Sequence, residues 1–474
     1  MANTPELSDR PRILVVGGGY VGLYVAMKLQ NKVKAHGGIV TVVDPLPYMT
    51  YQPFLPEVAA GQIEPRHAIV SHRAHLDNAE LITGRVTAVD HANRKAVIVP
   101  SQGEPFELGY RDVVMAAGAI TKTFPIPGLA EAGIGLKTIE EAVTLRNKVL
   151  ERIETASMMS DPAARRRALT FVVVGGGFAG IETITEIEDM ARAAVAKTSR
   201  VEQDEIRFVM VEAMGRIMPE VTEEQAVWVV EHMRSRGIEV LLNTSLGKVD
   251  GAKLELTNMV DKTPGESFEA DTLIWTAGVQ ANPMVRSTDF PIEPRGRVRT
   301  GTDLRITGDD GPIEGAWAAG DVAAVPDVTG GLPDGTCVPN AQHAVRQAKL
   351  LAANIYATRY GVGQVREYEH KNLGAVAGFG TGKGVAKIMG LQLKGLPAWA
   401  AHRGYHGMAM PTFERKFRVV GGWFSSLLFK RDITQISDLQ TPRRQFVEAA
   451  TPKPKAAEKP AADGVGEKQE AAAK

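Results

Sequence analysis

Three glycines near the N-terminus follow a short apolar run at a regular spacing. Gly17, Gly19 and Gly22 form a G-x-G-x-x-G pattern directly after residues 12–16, which predict a buried parallel strand. The first glycine permits a tight turn, the second lets a pyrophosphate approach the backbone, and the third lets the next helix pack closely on the strand. The N-terminus of that helix offers N–H groups and a partial positive charge to phosphates. The pattern predicts a phosphate-binding turn, the alternative being a glycine-rich turn without a nucleotide.

An acidic residue follows at the place that a dinucleotide fold requires. The second apolar run, residues 39–43, ends at Asp44, which lies 22 residues after Gly22. A carboxylate at the end of this strand can accept hydrogen bonds from a ribose diol. Strand, glycines, helix, strand and acid occur in the expected order, and together they predict one dinucleotide site.

The same pattern of apolar run, glycines and strand-end acid occurs a second time. An apolar run over residues 169–174 precedes Gly175, Gly177 and Gly180, and the next predicted strand ends at Glu212. Glu212 lies 32 residues after Gly180, which is longer than the usual interval of about 20. A carboxylate here would accept a hydrogen bond from a ribose 2′-hydroxyl and repel a 2′-phosphate. This copy is therefore expected to prefer NAD(H) to NADP(H).

Two copies imply either two dinucleotide sites or one site and a decayed duplicate. A predicted strand over residues 112–116 ends in Ala117 and Gly118, and a similar strand over residues 272–276 leads to Gly278. Small residues at a strand end suit a backbone that passes close to a ligand. Because the second unit has this strand as well, the pattern favours two complete sites, the second inserted into the first.

Two further segments are candidates for contacts with a nucleotide. A short predicted strand ends at Gly320 and Asp321, where the glycine permits close approach and the carboxylate can bind hydroxyls, the alternative being a simple strand cap. Residues 45–56 contain four prolines, which are expected to forbid regular helix or central strand. This segment is expected either to run along the ligand or to be a packed surface loop.

Composition excludes several classes of protein. The 474 residues suffice for two or three domains, and a net charge of zero gives no support for a nucleic-acid partner. Cys337 is the only cysteine, so neither an internal disulfide framework nor a redox-active cysteine pair can form, and a reducing compartment is expected. The polar N-terminus resembles neither a secretory signal nor a transit peptide. No apolar run approaches the length of about 18 residues that predicts a membrane-spanning helix.

The C-terminal region contains an apolar stripe of helical spacing. Its members recur at steps of four, three, four and three, and they are Phe413, Phe417, Val420, Phe424 and Leu427. Basic residues lie beside the stripe or follow it, namely Arg415, Lys416, Arg418, Lys430 and Arg431. This combination suits an amphipathic helix in the surface of a bilayer. The alternative is a helix packed on the protein core or across a homodimer.

With these motifs the chain resembles the two-dinucleotide-binding flavoprotein oxidoreductases and, among them, the type II NADH dehydrogenases. The segment NAQHAVRQ at residues 340–347 is similar to the Ala-Gln-x-Ala-x-Gln motif at that family's quinone site. Glu182 resembles its glutamate near the nicotinamide and the quinone. Residues 52–55 and 58–61 resemble its proline-rich loop beside the flavin, and residues 372–380 resemble the segment before its C-terminal domain.

The resemblance implies two bound dinucleotides. The first fingerprint would hold non-covalent FAD and the second would hold NADH. The residues implied for FAD are Gly17, Gly19, Gly22, Asp44, Gln52, Ala117, Gly118, Gly320 and Asp321. Those implied for NADH are Gly175, Gly177, Gly180, Glu182, Glu212 and Gly278. No metal site is expected.

The quinone motif departs from the family pattern in one respect. Four residues after Gln342, where the motif has glutamine, the chain has Arg346, and a glutamine follows at Gln347. One residue on a helix is a rotation of about 100°, so the two positions cannot be equivalent. The resemblance implies quinone contacts by Gln342 and by Arg346 or Gln347, the alternative being ordinary hydrogen bonds on a helix surface. Glu182 is expected to orient the nicotinamide or relay a proton, or else to be a partner of the helix dipole.

The implied activity is that of a respiratory NADH:quinone oxidoreductase without proton pumping. Hydride would pass from NADH to FAD, and two electrons would then pass to a membrane quinone. The protein is expected to be peripheral, at the cytoplasmic face of the cell membrane. Disulfide reductases and sulfide:quinone oxidoreductases are disfavoured because both need more cysteines than Cys337. Two alternatives stay open: a soluble NADH-dependent flavin reductase of an iron–sulfur protein or oxygen, and a flavin-bound regulatory or scaffold protein.

The predicted fold is α/β, with two Rossmann-like domains and a C-terminal membrane-associating region. The FAD domain is expected to be discontinuous, over residues 1–125 and 288–390. The NADH domain is expected over 126–287 and the membrane-surface region over 391–447. Residues 448–474 are rich in Ala, Lys, Glu and Pro and are predicted to be disordered.

Overall fold

Strands and helices alternate along most of the chain. The computed structural model describes residues 7–370, 374–429, 431–436 and 441–451. Residues up to Gln435 form one compact unit, and the residues from Ile436 form another. The β-strands are β1 Arg12–Val16, β2 Ile39–Asp44, β3 Tyr48–Thr50, β4 Ile69–Ser71, β5 Ala79–Asp90, β6 Lys95–Pro100, β7 Phe106–Gly109, β8 Asp112–Met115, β9 Ala119–Thr121, β10 Gly133–Gly135, β11 Thr170–Val174, β12 Arg207–Val211, β13 Ile238–Leu241, β14 Thr244–Asp250, β15 Lys253–Asn258, β16 Pro264–Glu269, β17 Thr272–Trp275, β18 Val279–Ala281, β19 Val298–Arg299, β20 Arg305–Gly308, β21 Gly311–Ala318, β22 Ala323–Ala324, β23 Gly374–Gly378, β24 Gly384–Ile388 and β25 Leu391–Lys394.

The described residues also form eleven α-helices. They are α1 Tyr20–Ala35, α2 Leu55–Ala59, α3 Leu129–Ala132, α4 Ile139–Ser157, α5 Pro162–Ala168, α6 Phe178–Val195, α7 Glu223–Ser235, α8 Ala341–Tyr360, α9 Leu396–Ala409, α10 Phe413–Leu428 and α11 Arg444–Ala450. The tail predicted to be disordered begins at residue 448, inside the exposed α11. Its remainder, residues 452–474, lies outside the described residues.

An eight-stranded sheet contains the first fingerprint. Its strand order is β20-β21-β8-β1-β2-β5-β6-β7, and β21, β8, β1, β2 and the start of β5 are parallel. Every residue of β1 is buried, because parallel strands that are covered on both faces need continuous apolar runs. Val16 is paired with Val43 and Met115, so the ends of three strands lie side by side where the first glycine turn begins. At one end of this sheet, β5 and β6 form an antiparallel hairpin.

A five-stranded parallel sheet contains the second fingerprint, in the order β10-β17-β11-β12-β13. Its strands come from residues 133–275, whereas those of the first sheet come from residues 12–115 and 305–318. The second sheet is therefore inserted in the chain between two parts of the first, and the predicted α/β class is confirmed. The exact domain boundaries stay predictions.

The proline-rich segment contains a helix that its composition did not predict. After a 3₁₀ turn over Gln52–Phe54, the chain forms α2. Pro56 lies in the first turn of α2, where the N–H that proline lacks has no intrahelical partner in any case. The expectation that the prolines forbid a helix was therefore wrong.

The C-terminal part of the first unit consists of the sheet β23-β24-β25, α9 and α10. One side of α10 packs inward, since Val419 is buried and Trp423 Nε1 donates a hydrogen bond to Glu57 Oε2 at 2.8 Å. All five residues of the predicted stripe are large, apolar and 51–84 % exposed. The stripe therefore does not pack on the core of this unit. Lys430, which was assigned to its basic flank, lies outside the described residues.

A helix that crosses a bilayer needs about 20 predominantly apolar residues. Among the described residues, no helix combines the length and the apolar character needed to cross a membrane.

Candidate functional site

The two fingerprints are built in the same way. Gly17 N donates to Val43 O, and Gly175 N donates to Val211 O, each at 2.9 Å. The φ angles of Gly17 and Gly175 are 100° and 114°, a region that favours glycine. A Cβ on Gly17 would lie 2.6 Å from the carbonyl oxygen of Ala116, so the turn has no room for a side chain. Both turns therefore depend on their first glycine, as the sequence predicts.

The second and third glycines of each fingerprint have separable roles. A Cβ on Gly22 would lie 1.8 Å from Gly17 O, and one on Gly180 would lie 1.9 Å from Gly175 O. At Gly19 and Gly177, by contrast, an added Cβ would meet no atom of the described residues within 4 Å. The third glycines are required by packing of helix on strand, while the second glycines border the open space that a phosphate would need.

The acidic residues of the two fingerprints bind the glycine-rich turns themselves. Asp44 Oδ2 accepts from Gly18 N at 2.7 Å, and Glu212 Oε2 accepts from Gly176 N at 2.5 Å. The other oxygen of each carboxylate accepts a backbone N–H two residues later, at 2.8 Å for Asp44 and 2.7 Å for Glu212. Each carboxylate oxygen has a second lone pair, so contact with a ribose is still open to both residues.

A cavity of about 1160 Å³ extends from the first fingerprint to the start of α6 and to α8. Its wall includes the predicted site residues Gly17, Gly19, Asp44, Gln52, Ala117, Gly118, Glu182, Gly278, Gly320, Asp321 and Gln342. The predicted site residues outside its wall are Gly22, Gly175, Gly177, Gly180, Glu212, Arg346 and Gln347. The proline-rich segment contributes Tyr48, Pro53 and Pro56, so it runs along the cavity and is not a surface loop.

The residues of this cavity fit a flavin dinucleotide. Its volume exceeds the range of about 300–1,000 Å³ that is usual for small-molecule sites. In the part of the chain that the structure describes, no atom lies within 4 Å of the place of a Cβ on Gly19 or Gly118, so the backbone is open to a ligand at two points. No side chain of the described residues caps the N-terminus of α1, which leaves that helix end for phosphate. Asp321 lies on the cavity wall, and burial raises the pKa of its carboxyl group.

Glu182 lies where α6 reaches the cavity. Its Oε1 accepts from Gly378 N at 3.0 Å and lies 3.3 Å from Nε2 of His402. Burial raises the pKa of Glu182 to about 8 and lowers the pKa of His402 to about 3. At pH 7 the Glu182 carboxyl group is therefore mostly protonated and His402 is neutral, so their contact is not an ion pair. A neutral carboxyl group is a poor partner for the helix dipole but can donate a proton.

The first turns of α8 carry the residues of the quinone-like motif in three different settings. Gln342 lines the cavity, and its Oε1 lies 2.8 Å from Nε2 of His370. Gln347 is buried, and its Oε1 accepts from Gly320 N at 2.8 Å. Arg346 Nη1 donates to the carbonyl of Gln342 at 3.0 Å and is not on the wall. Of the three, Gln342 alone borders the cavity; the quinone contacts assigned to Arg346 or Gln347 stay predictions.

The structure also brings to the cavity residues that carried no signal in the sequence. Lys137 Nζ donates to Gln52 Oε1 at 3.0 Å, and burial lowers the pKa of Lys137. His406 lies on the wall with its Nδ1 3.0 Å from the hydroxyl of Tyr51. These residues belong to no motif, and their neighbours in space are distant in the chain. Of the resembling segment 372–380, Asn372 and Leu373 lie outside the described residues.

A second group of buried acids lies behind Glu182. Glu57 and Glu186 line a small void together with Glu182 and His402. Arg403 Nη1 lies 3.0 Å from Glu57 Oε2, yet burial still raises the pKa of Glu57 to about 8. The Glu57 carboxyl is therefore a second group that can hold a proton near neutral pH.

Two known proteins with similar sequences align with most of this chain. Type II NADH:quinone oxidoreductase of Mycobacterium tuberculosis is 26% identical over 440 residues, which is 90% of this chain and 90% of the relative. The enzyme of the same description from Staphylococcus epidermidis is 26% identical over 397 residues, 82% of this chain and 92% of the relative.

Two solved structures and one protein-family model are also similar to this chain. NDH2 from Plasmodium falciparum in complex with NADH superposes with a TM-score of 0.81 at 17% identity, covering 90% of this chain and 100% of that one. A sulfide:quinone oxidoreductase from Aquifex aeolicus has the same fold with a TM-score of 0.66 at 16% identity, covering 89% of this chain and 96% of that one. The family model described as pyridine nucleotide-disulphide oxidoreductase matches residues 11–348. The chain therefore belongs to the pyridine nucleotide-disulphide oxidoreductase family.

Proposed function

We propose that the protein is an FAD-dependent NADH:quinone oxidoreductase that does not pump protons. The observation that carries the proposal is one cavity that joins the first fingerprint, the start of α6, which follows the second fingerprint, and Gln342. Two relatives named for this activity support it, since each aligns with more than four-fifths of the chain. The only cysteine, Cys337, is buried and not on the cavity wall, which supports transfer of electrons without a thiol relay.

FAD bound in this cavity would supply the group that accepts hydride and releases electrons. The turn at Gly17 and the N-terminus of α1 would hold its phosphates, while Asp44 and Asp321 would bind hydroxyl groups. Phe178 and Ala179, at the start of α6, line the cavity and are in place to position a nicotinamide. Gln342, on the wall formed by α8, would orient the quinone by a hydrogen bond.

The basic test compares NADH oxidation by the purified yellow protein with and without a short-chain quinone. Rapid turnover that depends on the quinone supports the proposal. Oxidation that is fast only with oxygen or an iron–sulfur protein would favour a soluble reductase. Sluggish oxidation with every acceptor would favour a flavin-bound regulatory or scaffold protein.

The proposal includes a peripheral position at the cytoplasmic face of the cell membrane. The exposed stripe of α10 supports it, because large apolar side chains beside basic residues suit a bilayer surface. Arg418 is about half exposed on the same helix, where it can attract anionic lipid. A homodimer through this face is the alternative use of the stripe, and sedimentation in detergent-free buffer separates the two.

Glu212→Gln is expected to narrow the preference for NADH over NADPH by roughly tenfold, which corresponds to about 1.4 kcal/mol. The substitution removes the charge that would repel a 2′-phosphate. The amide oxygen can still accept from Gly176 N, whereas the hydrogen bond from Met214 N is lost. The measurement is kcat/KM for each nucleotide at fixed quinone. A wild-type protein that uses NADPH as well as NADH would show that Glu212 does not border the ribose.

Gln342→Ala is expected to slow reduction of quinone roughly three- to tenfold, the effect of losing one hydrogen bond. Reduction of the flavin by NADH should stay unchanged, because Gln342 lies on the acceptor side of the cavity. Stopped-flow absorbance separates the two half-reactions. Lys349→Ala, on the exposed face of α8, is the matched control. Arg346→Ala is expected to have a smaller effect than Gln342→Ala, and a loss confined to the NADH half-reaction would refute both assignments.

Glu182 is expected to impose a pH dependence on the second half-reaction. Because its pKa is raised to about 8, the carboxyl group is protonated at pH 7 and loses its proton above pH 8. If it donates protons to the quinone, the rate should fall up to about tenfold between pH 7 and pH 9. Glu182→Gln should be slower at pH 7 and should flatten this profile. An unchanged profile in Glu182→Gln would assign the titration to another group, such as Glu57.

A further inference from the structure

Three side chains of different chemistry meet behind the wall of the cavity. They are Asp327, Cys337 and His343, and one ligand atom from each lies within 4.8 Å of the other two. Cys337 and His343 are buried, at 6 % and 2 % exposed, and Asp327 is partly buried. None of the three lines the cavity that the proposed activity uses. The cluster is therefore a separate feature of the fold.

The backbone holds these side chains in place. Asp327 N donates to Gly335 O at 2.8 Å, and Cys337 N donates to Val325 O at 2.8 Å, so the intervening loop is closed at its base. His343 lies in the first turn of α8, and the hydroxyl of Tyr368 lies 2.9 Å from its Nδ1. A hydrogen bond of this kind fixes the orientation of an imidazole ring, as in many metal sites.

We propose that this cluster is a binding site for one Zn²⁺ ion. Thiolate, imidazole and carboxylate are the ligands that Zn²⁺ prefers, and three of them leave a fourth position for water. Loss of the thiol proton to solvent gives two negative charges, from Cys337 and Asp327, which balance the charge of the ion in a buried place. Hard cations such as Mg²⁺ do not suit a sulfur ligand.

The geometry requires only a small adjustment. Bonds of about 2.0–2.3 Å to a tetrahedral ion place its ligand atoms roughly 3.3–3.8 Å apart. The ligand atoms, at most 4.8 Å apart, would therefore approach by about one ångström, which side-chain rotation can supply. The ion would join the loop that ends at Cys337 to the first turn of α8, directly beside Gln342.

The first test needs no variant. The full-length protein with its flavin is treated with a chelator, reduced, loaded with one equivalent of Zn²⁺ and studied by X-ray absorption at the zinc edge. We expect one sulfur neighbour at about 2.3 Å and nitrogen or oxygen neighbours at about 2.0 Å. Because Cys337 is the only cysteine, a thiolate neighbour assigns the site directly. A shell of nitrogen and oxygen alone would overturn the proposal.

The second test measures affinity by competition with a chromophoric chelator. Cys337→Ser and His343→Gln are each expected to weaken Zn²⁺ binding at least about tenfold. His36→Gln, which removes an exposed imidazole, is the matched control and should bind as the wild type does. Flavin content reports that each variant is folded. Folded variants with wild-type affinity would overturn the proposal, and this readout is independent of turnover with any quinone.

Discussion

Replacing Gly22 with alanine is expected to abolish retention of FAD and to lower the free energy of unfolding by at least about 3 kcal/mol. The new Cβ would lie 1.8 Å from the carbonyl oxygen of Gly17 and 3.1 Å from Val15 Cγ1, so either α1 or β1 must move. That displacement opens the turn which would hold the phosphates. Flavin absorbance per mole of protein and urea unfolding measure the two effects.

Gly19→Ala is the matched control in the same fingerprint. An added Cβ there meets no described atom within 4 Å, and the φ of Gly19 is −69°, which any residue adopts. We therefore expect stability close to that of the wild type but weaker binding of FAD, because the methyl group occupies the space of the pyrophosphate. A Gly22→Ala protein that is as yellow and as stable as the wild type would contradict this account of the fingerprint.

Replacing four exposed side chains of α10 with serine is expected to release the protein from liposomes, with affinity reduced at least about 100-fold. The substitutions are at Phe413, Phe417, Phe424 and Leu427, which are 63–84 % exposed. Burial of each such side chain in an apolar phase contributes about 1.5–3 kcal/mol, so four of them dominate binding to a bilayer surface. Flotation with anionic liposomes at low salt measures the loss.

Substitution is a sharper test than deletion of the C-terminal region. Deletion would remove Trp423, which hydrogen-bonds to buried Glu57, and Arg431, whose Nη1 lies 3.5 Å from Glu186 Oε2. The serine variant should keep its flavin and its NADH oxidation with a hydrophilic acceptor, and lose activity only with quinone in the membrane. Met158→Ser with Val260→Ser, two exposed apolar residues elsewhere, is the control. Unchanged flotation of the α10 variant would favour a dimer contact for the stripe.

Local sequence was enough to predict both fingerprints. Each joins a strand, a turn and a helix that are adjacent in the chain, and its steric requirements fall on glycines at fixed spacing. For the same reason Asp44 and Glu212 could be identified as strand-end carboxylates. The positive φ of Gly17 and the close approach at Gly22 are consequences of this local geometry. The α/β class follows as well, because buried parallel strands demand long apolar runs.

A local sequence motif cannot predict how a helix is rotated relative to the elements that it packs on. The motif at the start of α8 could not decide which of three polar side chains borders the cavity. That depends on how α8 packs, since one residue rotates a side chain by about 100°. The structure directs Gln342 to the cavity and Gln347 to the backbone of Gly320. The prediction that the prolines of residues 45–56 forbid a helix was wrong because the energetic cost of a proline depends on its position within the helical turn.

By itself, then, the sequence determined the two dinucleotide folds, the α/β class and the apolar stripe of α10, whereas the exposure of that stripe was decided by how α10 packs. Tertiary structure alone raises the pKa of Glu182, because the burial that removes this carboxyl group from water depends on segments some 200 residues away in the chain, such as those of Gly378 and His402. It likewise brought Cys337 to His343 and Asp327. Short-range patterns act through sterics between chain neighbours, whereas burial, dielectric environment and clusters of ligands arise only when distant segments pack together.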